Sequence, residues 1–277
     1  MKVKPIIVTL TSIPPRYENL PRRFASIGCQ SVKPDFVELY IPKTYRRFPG
    51  QRPTLPDLPD WVDVIEVDED IGPATKILPA TRKWRSHDVD LLLCDDDRSH
   101  DRRWISRFAE ARRERPKDII CERAWNIDER YGIKREELDE PRARRDEHKG
   151  LKFVYKLVKL LTFKKYHYHV PRKIYLNSGY GDVFEGFLGV LAPPLAFHDD
   201  VWNVPNVAWS VDDVWLSGMA KVNGYNVWVN AKPRPVYHDG KYDKIAALKD
   251  SSIKGVGRDD AELMAIDLLR TKYGIWR

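Results

Sequence analysis

Three consecutive carboxylates, Asp95, Asp96 and Asp97, follow the apolar run Val89-Asp-Leu-Leu-Leu-Cys94. Adjacent anions repel one another unless a cation is shared between them. Hard oxygen ligands with few protein contacts suit Mg²⁺ or Mn²⁺, which keep coordination positions open for phosphate oxygens. In an open α/β sheet, ligands bind beyond the carboxyl ends of the strands. Placed there, the acidic run reads as a clamp for a diphosphate and its metal. Taken alone it equally describes a solvated acidic turn, so the surrounding elements have to decide.

Residues 3–10 form a β-rich run closed by Ile13-Pro14-Pro15, and 18–30 carries helical spacing through Leu20, Phe24 and Ile27. Further strands are expected over 36–41, 62–67 and 89–94. A helix is expected over 74–85, after Gly72-Pro73, where proline in the first turn sacrifices no hydrogen bond. Residues 104–114 place Trp104, Ile105, Phe108 and Ala111 on one helical side, and 118–121 is a short strand. Strands alternating with helices imply a mainly parallel α/β sheet. A charged stretch from Arg123, expected to be mobile, gives way to short strands around 179–190. A helix over 215–222, a strand over 226–229 and an amphipathic helix over 259–273 complete the chain. At 277 residues one domain is the economical reading.

Asp95-x-Asp97 behind an apolar strand resembles the DxD motif of GT-A fold glycosyltransferases of the family 2 type, and other segments fall in the order of that fold. Val8-Thr-Leu-Thr-Ser-Ile-Pro-Pro-Arg16 is similar to the first-strand loop that holds base and ribose, which implies donor contacts for Thr9, Ser12 and Arg16. Ile71-Gly-Pro-Ala-Thr-Lys76 is similar to a donor-side segment, and Lys76, like Arg16, is a suitable phosphate or ribose partner. Glu185-Gly-Phe-Leu-Gly-Val-Leu-Ala-Pro-Pro194 resembles the floor between donor and acceptor, where Gly186 and Gly189 would admit a sugar closely. Val211-Asp-Asp-Val-Trp215 resembles the acidic helix start that carries the catalytic base, implying Asp213 for that role with Asp212 beside it. Pro235-Val-Tyr-His238 matches the late histidine that completes the metal site.

The resemblance implies a GT-A (Rossmann-like) fold, with 1–121 as the nucleotide-sugar half, 122–173 as an insertion and 174–277 as the acceptor-side half. Asp97, Asp95 and His238 would hold Mn²⁺ or Mg²⁺, with Asp95 and Asp96 also reaching the donor. A UDP-sugar is the default donor, and inversion with Asp213 as base the default outcome. The acceptor would be a glycan or lipid-linked glycan, as in polysaccharide or lipopolysaccharide synthesis. Two other readings remain: a haloacid-dehalogenase-type phosphatase using Asp95-x-Asp97-x-Ser99, and a non-catalytic glycan-binding protein on a transferase fold.

The formal charge of +7 is concentrated in 142–173, where eleven Lys or Arg face Asp146 and Glu147, a local +9 that leaves the remainder near −2. That concentration argues against a nucleic-acid partner, which would require a basic face interleaved with stacking aromatics. Lys149, Lys152, Lys156 and Lys159 share one helical face opposite Val154, Leu157, Val158 and Leu161. Residues 149–166 therefore read as a basic amphipathic helix suited to an anionic membrane surface, to an acidic acceptor, or to docking on the core. Cys29, Cys94 and Cys121 show no CxxC spacing, and no apolar run reaches the roughly 20 residues of a membrane span. The expectation is a cytoplasmic protein, peripheral at most on the inner face of the membrane.

Overall fold

The computed structural model describes residues 4–145, 161, 174–232, 245 and 257–277. The first half alternates as expected: β1 (Ile6–Thr11), α1 (Leu20–Gly28), β2 (Phe36–Pro42), β3 (Asp63–Val67), α2 (Leu78–Lys83), β4 (Asp90–Leu93), α3 (Trp104–Glu114) and β5 (Ile119–Cys121). Short elements follow: β6 (Ala124–Trp125), α4 (Ile127–Tyr131), β7 (Arg144–Arg145), β8 (Tyr175–Asn177), β9 (Gly179–Gly181), β10 (Val183–Phe184) and β11 (Val190–Ala192). The last described elements are α5 (Asp212–Val222), β12 (Val227–Val229) and α6 (Arg258–Tyr273).

Eight strands form one mixed sheet in the order β3-β2-β1-β4-β11-β5-β12-β9. β1 pairs in parallel with β2 and β4, and β2 with β3, whereas β11 runs antiparallel between β4 and β5. The central strands are apolar because both faces are covered. Along β1, Ile7 enters one core layer while Ile6, Val8 and Leu10 enter the other, the alternation a pleated strand imposes. Since β2 and β3 lie to one side of β1 and β4 to the other, the order reverses there and opens a crevice above the carboxyl ends of β1 and β4.

Two expectations change. The helix expected over 74–85 is a 3₁₀ turn, Gly72–Lys76, followed by α2 from Leu78. Gly72 sits at φ +66°, and a Cβ there would come within 2.8 Å of Trp209, so the chain arrives in a conformation only glycine adopts freely. The charged stretch expected to be mobile is, over 123–145, held in ordered structure: 141–143 bonds to Tyr180 of β9 at the edge of the eight-stranded sheet, and β6 belongs to a separate two-stranded sheet. β6 pairs with β10, and Arg142 Nη1 donates to Asp182 Oδ1 at 2.9 Å, joined by Arg135 on the same oxygen. His238, and the basic segment 149–166 apart from Leu161, lie outside the described residues. No helix among the described residues is long and apolar enough to cross a membrane.

Candidate active site

The loop after β1 and the end of β4 are clasped together by Asp96. Ser12 Oγ donates to Asp96 Oδ2 at 2.5 Å, Arg16 Nη1 to its Oδ1 at 2.9 Å, and Asn19 Nδ2 to its backbone carbonyl at 2.7 Å. From α1, the buried Arg23 donates through Nε to the Asp95 carbonyl at 3.1 Å and through Nη2 to Cys94 Sγ at 2.8 Å. The backbone of the acidic run is thus fixed from below. Asp96, read in sequence as a donor contact, has its carboxylate fully engaged inside the protein, although it still lines the cleft.

Asp95 and Asp212 are joined through Lys76, which is buried. Lys76 Nζ lies 2.8 Å from Asp95 Oδ1 and 3.0 Å from Asp212 Oδ2. Burial, the largest influence on Lys76, disfavours its charge, but Asp212, Asp95 and Asp213 outweigh it and hold the pKa well above the ordinary lysine value. Reciprocally, burial would raise the Asp95 carboxyl, yet Lys76 foremost, then Arg16 and Arg98, keep it below the usual range. Asp212 does not cap α5: the N-cap position is Val211, with no side-chain cap bond.

Asp97 is differently placed. Its Oδ2 is 3.2 Å from Arg16 Nη1, which it shares with Asp96, while its Oδ1 accepts no hydrogen bond among the described residues and stands 4.0 Å from Arg98 Nε. Burial, then Asp95 and Asp96, push its pKa up to about 7. Asp213, in the first turn of α5, accepts from the Gly186 backbone N–H at 3.1 Å. Burial, then Asp212, carry its pKa well above that of an ordinary carboxylate, with Lys76 opposing.

Two adjoining compartments meet over this cluster. The narrower, about 190 Å³, runs from Ser12 and Lys76 to the aromatic side chains Tyr45, Phe48 and Trp209. The wider, about 590 Å³, is bounded by Asp97, Glu185, Trp125 and Arg130. Arg16, Asp95, Phe187, Asp213 and Arg258 border both.

Ser12, Arg16, Lys76, Asp95, Asp96, Asp97, Asp212 and Asp213 are therefore all brought to one cleft. Thr9 is not: it is buried within β1, and Thr11, two residues on along the same strand face, lines the cleft in its place. Gly186 serves the cluster itself, since a Cβ would stand 2.9 Å from Lys76 Nζ and 3.1 Å from Asp213 Oδ1. Gly189, expected beside a sugar, instead clears the Trp104 ring, which a Cβ would approach to 2.8 Å. Sequence reading missed Tyr45, Phe48, Asp70, Phe187, Trp209 and Arg258, all of which line the narrower compartment. Phe187 lay within a segment already singled out, but the others sit in connections or at a helix start, where no periodicity marks them.

No protein-family model matches this sequence, and no curated protein matches it. Among solved structures, S. aureus TarS 1–349 in complex with UDP-GlcNAc is similar at 9% identity over 97% of this chain and 66% of that one, with a TM-score of 0.49. The same protein in complex with UDP gives 10% identity over 96% and 72% of the two chains, with a TM-score of 0.43. The chain thus spans just under two thirds of the first of these. The functional reading rests on the geometry of the cleft.

Proposed function

We propose that this protein is a glycosyltransferase that moves a sugar from a nucleoside diphosphate donor to a hydroxyl acceptor. The observation that carries the reading is the pair of compartments meeting at Asp95 and Asp213 above the reversal in strand order. The aromatic side chains of the narrower compartment suit a nucleobase, and Ser12, Arg16 and Lys76 suit ribose and phosphates. The wider compartment suits a glycan or lipid-linked acceptor, with Phe187 between the two.

In the proposed reaction an acceptor hydroxyl oxygen attacks the anomeric carbon as the bond to the diphosphate breaks, its electron pair leaving with the diphosphate oxygen. Asp213, in its ionised form, takes the hydroxyl proton, and burial beside Asp212 raises its affinity for that proton above that of a free carboxylate. The Gly186 N–H aims one oxygen, leaving the other for the acceptor. Attack from the wider compartment, opposite the diphosphate, inverts the anomeric configuration.

A divalent cation fits this donor set at one point above all. Asp97 carries a buried oxygen without a hydrogen bond among the described residues, in a surplus of negative charge. Asp95 is the second candidate ligand, although Lys76 already holds it, and no group of three or more His, Cys, Asp or Glu able to hold a metal occurs among the described residues. His238, the third expected ligand, lies outside them. When bound, Mn²⁺ or Mg²⁺ supplies charge neutralisation to the leaving diphosphate.

The test is hydrolysis and transfer across a nucleotide-sugar panel with Mn²⁺, alongside thermal stabilisation by nucleoside diphosphates. Stabilisation by a nucleoside diphosphate and turnover of its sugar support the reading. Stabilisation by a phosphate-mimicking fluoride and by no nucleotide overturns it in favour of phosphoryl chemistry.

A further inference from the structure

Arg258 opens α6 and borders both compartments, although the C-terminal helix gave no sign of chemistry in the sequence. Helix α6 packs on α5, which carries Asp212 and Asp213, so the helix pair delivers a guanidinium to the carboxylate cluster. The side chain is anchored rather than loose. Arg258 Nε donates to Glu262 Oε1 at 3.0 Å, one helical turn onward. Glu262 is 2% exposed, and its other oxygen accepts from the Tyr131 hydroxyl at 2.7 Å and lies 3.0 Å from Arg130 Nη2.

Burial opposes the Arg258 charge, and Asp213 is foremost among the groups that outweigh it, followed by Glu262. Among the described residues its Nη1 and Nη2 make no hydrogen bonds, whereas the amine of Lys76 is held by Asp95 and Asp212, and Arg16 by Asp96 and Asp97. A planar fork with its Nε fixed and two nitrogens left over is matched to two oxygens of a phosphate.

We propose that Arg258 binds the terminal phosphate of the nucleoside diphosphate, with Glu262 and Tyr131 as positioning residues that hold its fork at the junction of the two compartments. This rests on reading the cleft as a nucleotide-sugar site. When the anomeric C–O bond breaks, the electron pair goes to the phosphate oxygen, and Arg258 meets the charge that develops there while Asp213 takes the acceptor proton.

The test compares di- with monophosphates. Uridine and guanosine di- and monophosphates are titrated into the wild-type protein and into Arg258→Met, Arg258→Lys and Glu262→Gln, each checked for an unchanged fold by its melting curve. For the base that binds, Arg258→Met weakens the diphosphate about tenfold or more and the monophosphate less than about twofold. Arg258→Lys recovers part of the loss, and Glu262→Gln shows a smaller loss confined to the diphosphate. Equal losses for di- and monophosphate, or an unchanged diphosphate in folded Arg258→Met and Arg258→Lys, overturn the proposal while leaving the transferase reading intact. A wild-type protein that binds no nucleoside diphosphate, with those of adenosine, cytidine and thymidine added to the titration, overturns that reading and this proposal together.

Discussion

Two buried ionic clusters in this molecule follow opposite arithmetic. Asp182, between β9 and β10, is one carboxylate facing two guanidiniums, Arg135 and Arg142, and it also accepts the Ile127 backbone N–H at 2.9 Å. Burial would raise its pKa, but Arg142 and then Arg135 outweigh that and hold it below the usual range. At the end of β4 and the start of α5, five carboxylates crowd around Lys76 and Arg16, with Arg98 and Arg258 acting on them from the rim, and two of the five, Asp97 and Asp213, are pushed upward instead. The first cluster closes a fold; the second keeps unmet negative charge against an open cleft. Buried charge by itself marks neither structure nor function. The surplus of one sign beside a cavity is what separates the two.

Substitutions that remove one carboxylate should divide the clusters. The largest effect is expected from Asp213→Asn, which removes the proposed base: turnover of a nucleotide-sugar donor with acceptor falls by about 10²–10⁴-fold while donor binding is retained. The melting temperature does not fall, because a crowded anion has been relieved. A drop in stability as large as the drop in rate would make Asp213 a structural residue like Asp182.

Asp182→Ala is the converse. It takes from Arg135 its carboxylate partner and leaves Arg142 with Asp128 alone among the described residues, and should cost about 3–5 kcal/mol in denaturant unfolding, the usual penalty for removing one partner of a buried pair. Activity per folded molecule changes little. Loss of activity with unaltered unfolding would show that 123–145 serves chemistry rather than the fold.

Asp97→Asn should abolish dependence of turnover on added Mn²⁺, with unfolding in chelator unchanged or slightly improved. A substantial destabilisation in chelator would show that the carboxylate is satisfied within the protein.

The pH dependence of stability should have opposite slopes. The folded pKa of Asp182 lies below the value of about 3.9 for an unfolded aspartate, so its contribution is present above that pH and is lost as the pH falls through the folded value. Asp213 is raised in the fold, so its ionisation costs stability as the pH rises above about 4. The stability difference between Asp213→Asn and wild type should therefore grow from pH 4 upward, and that between Asp182→Asn and wild type should shrink below pH 4. Parallel curves for the two would erase the distinction.

The smallest effect is expected at the surface pair Lys43 and Asp68, both well exposed, where Lys43→Ala should leave the melting curve unmoved.

Much of this was local and could be read directly. Periodicity placed β1, β2, β4, α3 and α6 within a few residues, because strand and helix repeats are written in neighbouring positions. The run after β4 and the pair opening α5 stood out for the same reason: carboxylates at element ends are visible without a fold. Partnership was not local. Arg16 and Asp96 meet from 80 positions apart, and Lys76 becomes the bridge between Asp95 and Asp212 only when α5 is packed beside the turn over 72–76. The antiparallel insertion of β11, the engagement of Asp96 as a clasp, the clearance of Trp104 by Gly189 and the arrival of Arg258 from α6 were likewise decided by packing. A charge shows its sign in the sequence, whereas whether it is neutralised, shared or left in surplus depends on distances that only the tertiary fold sets.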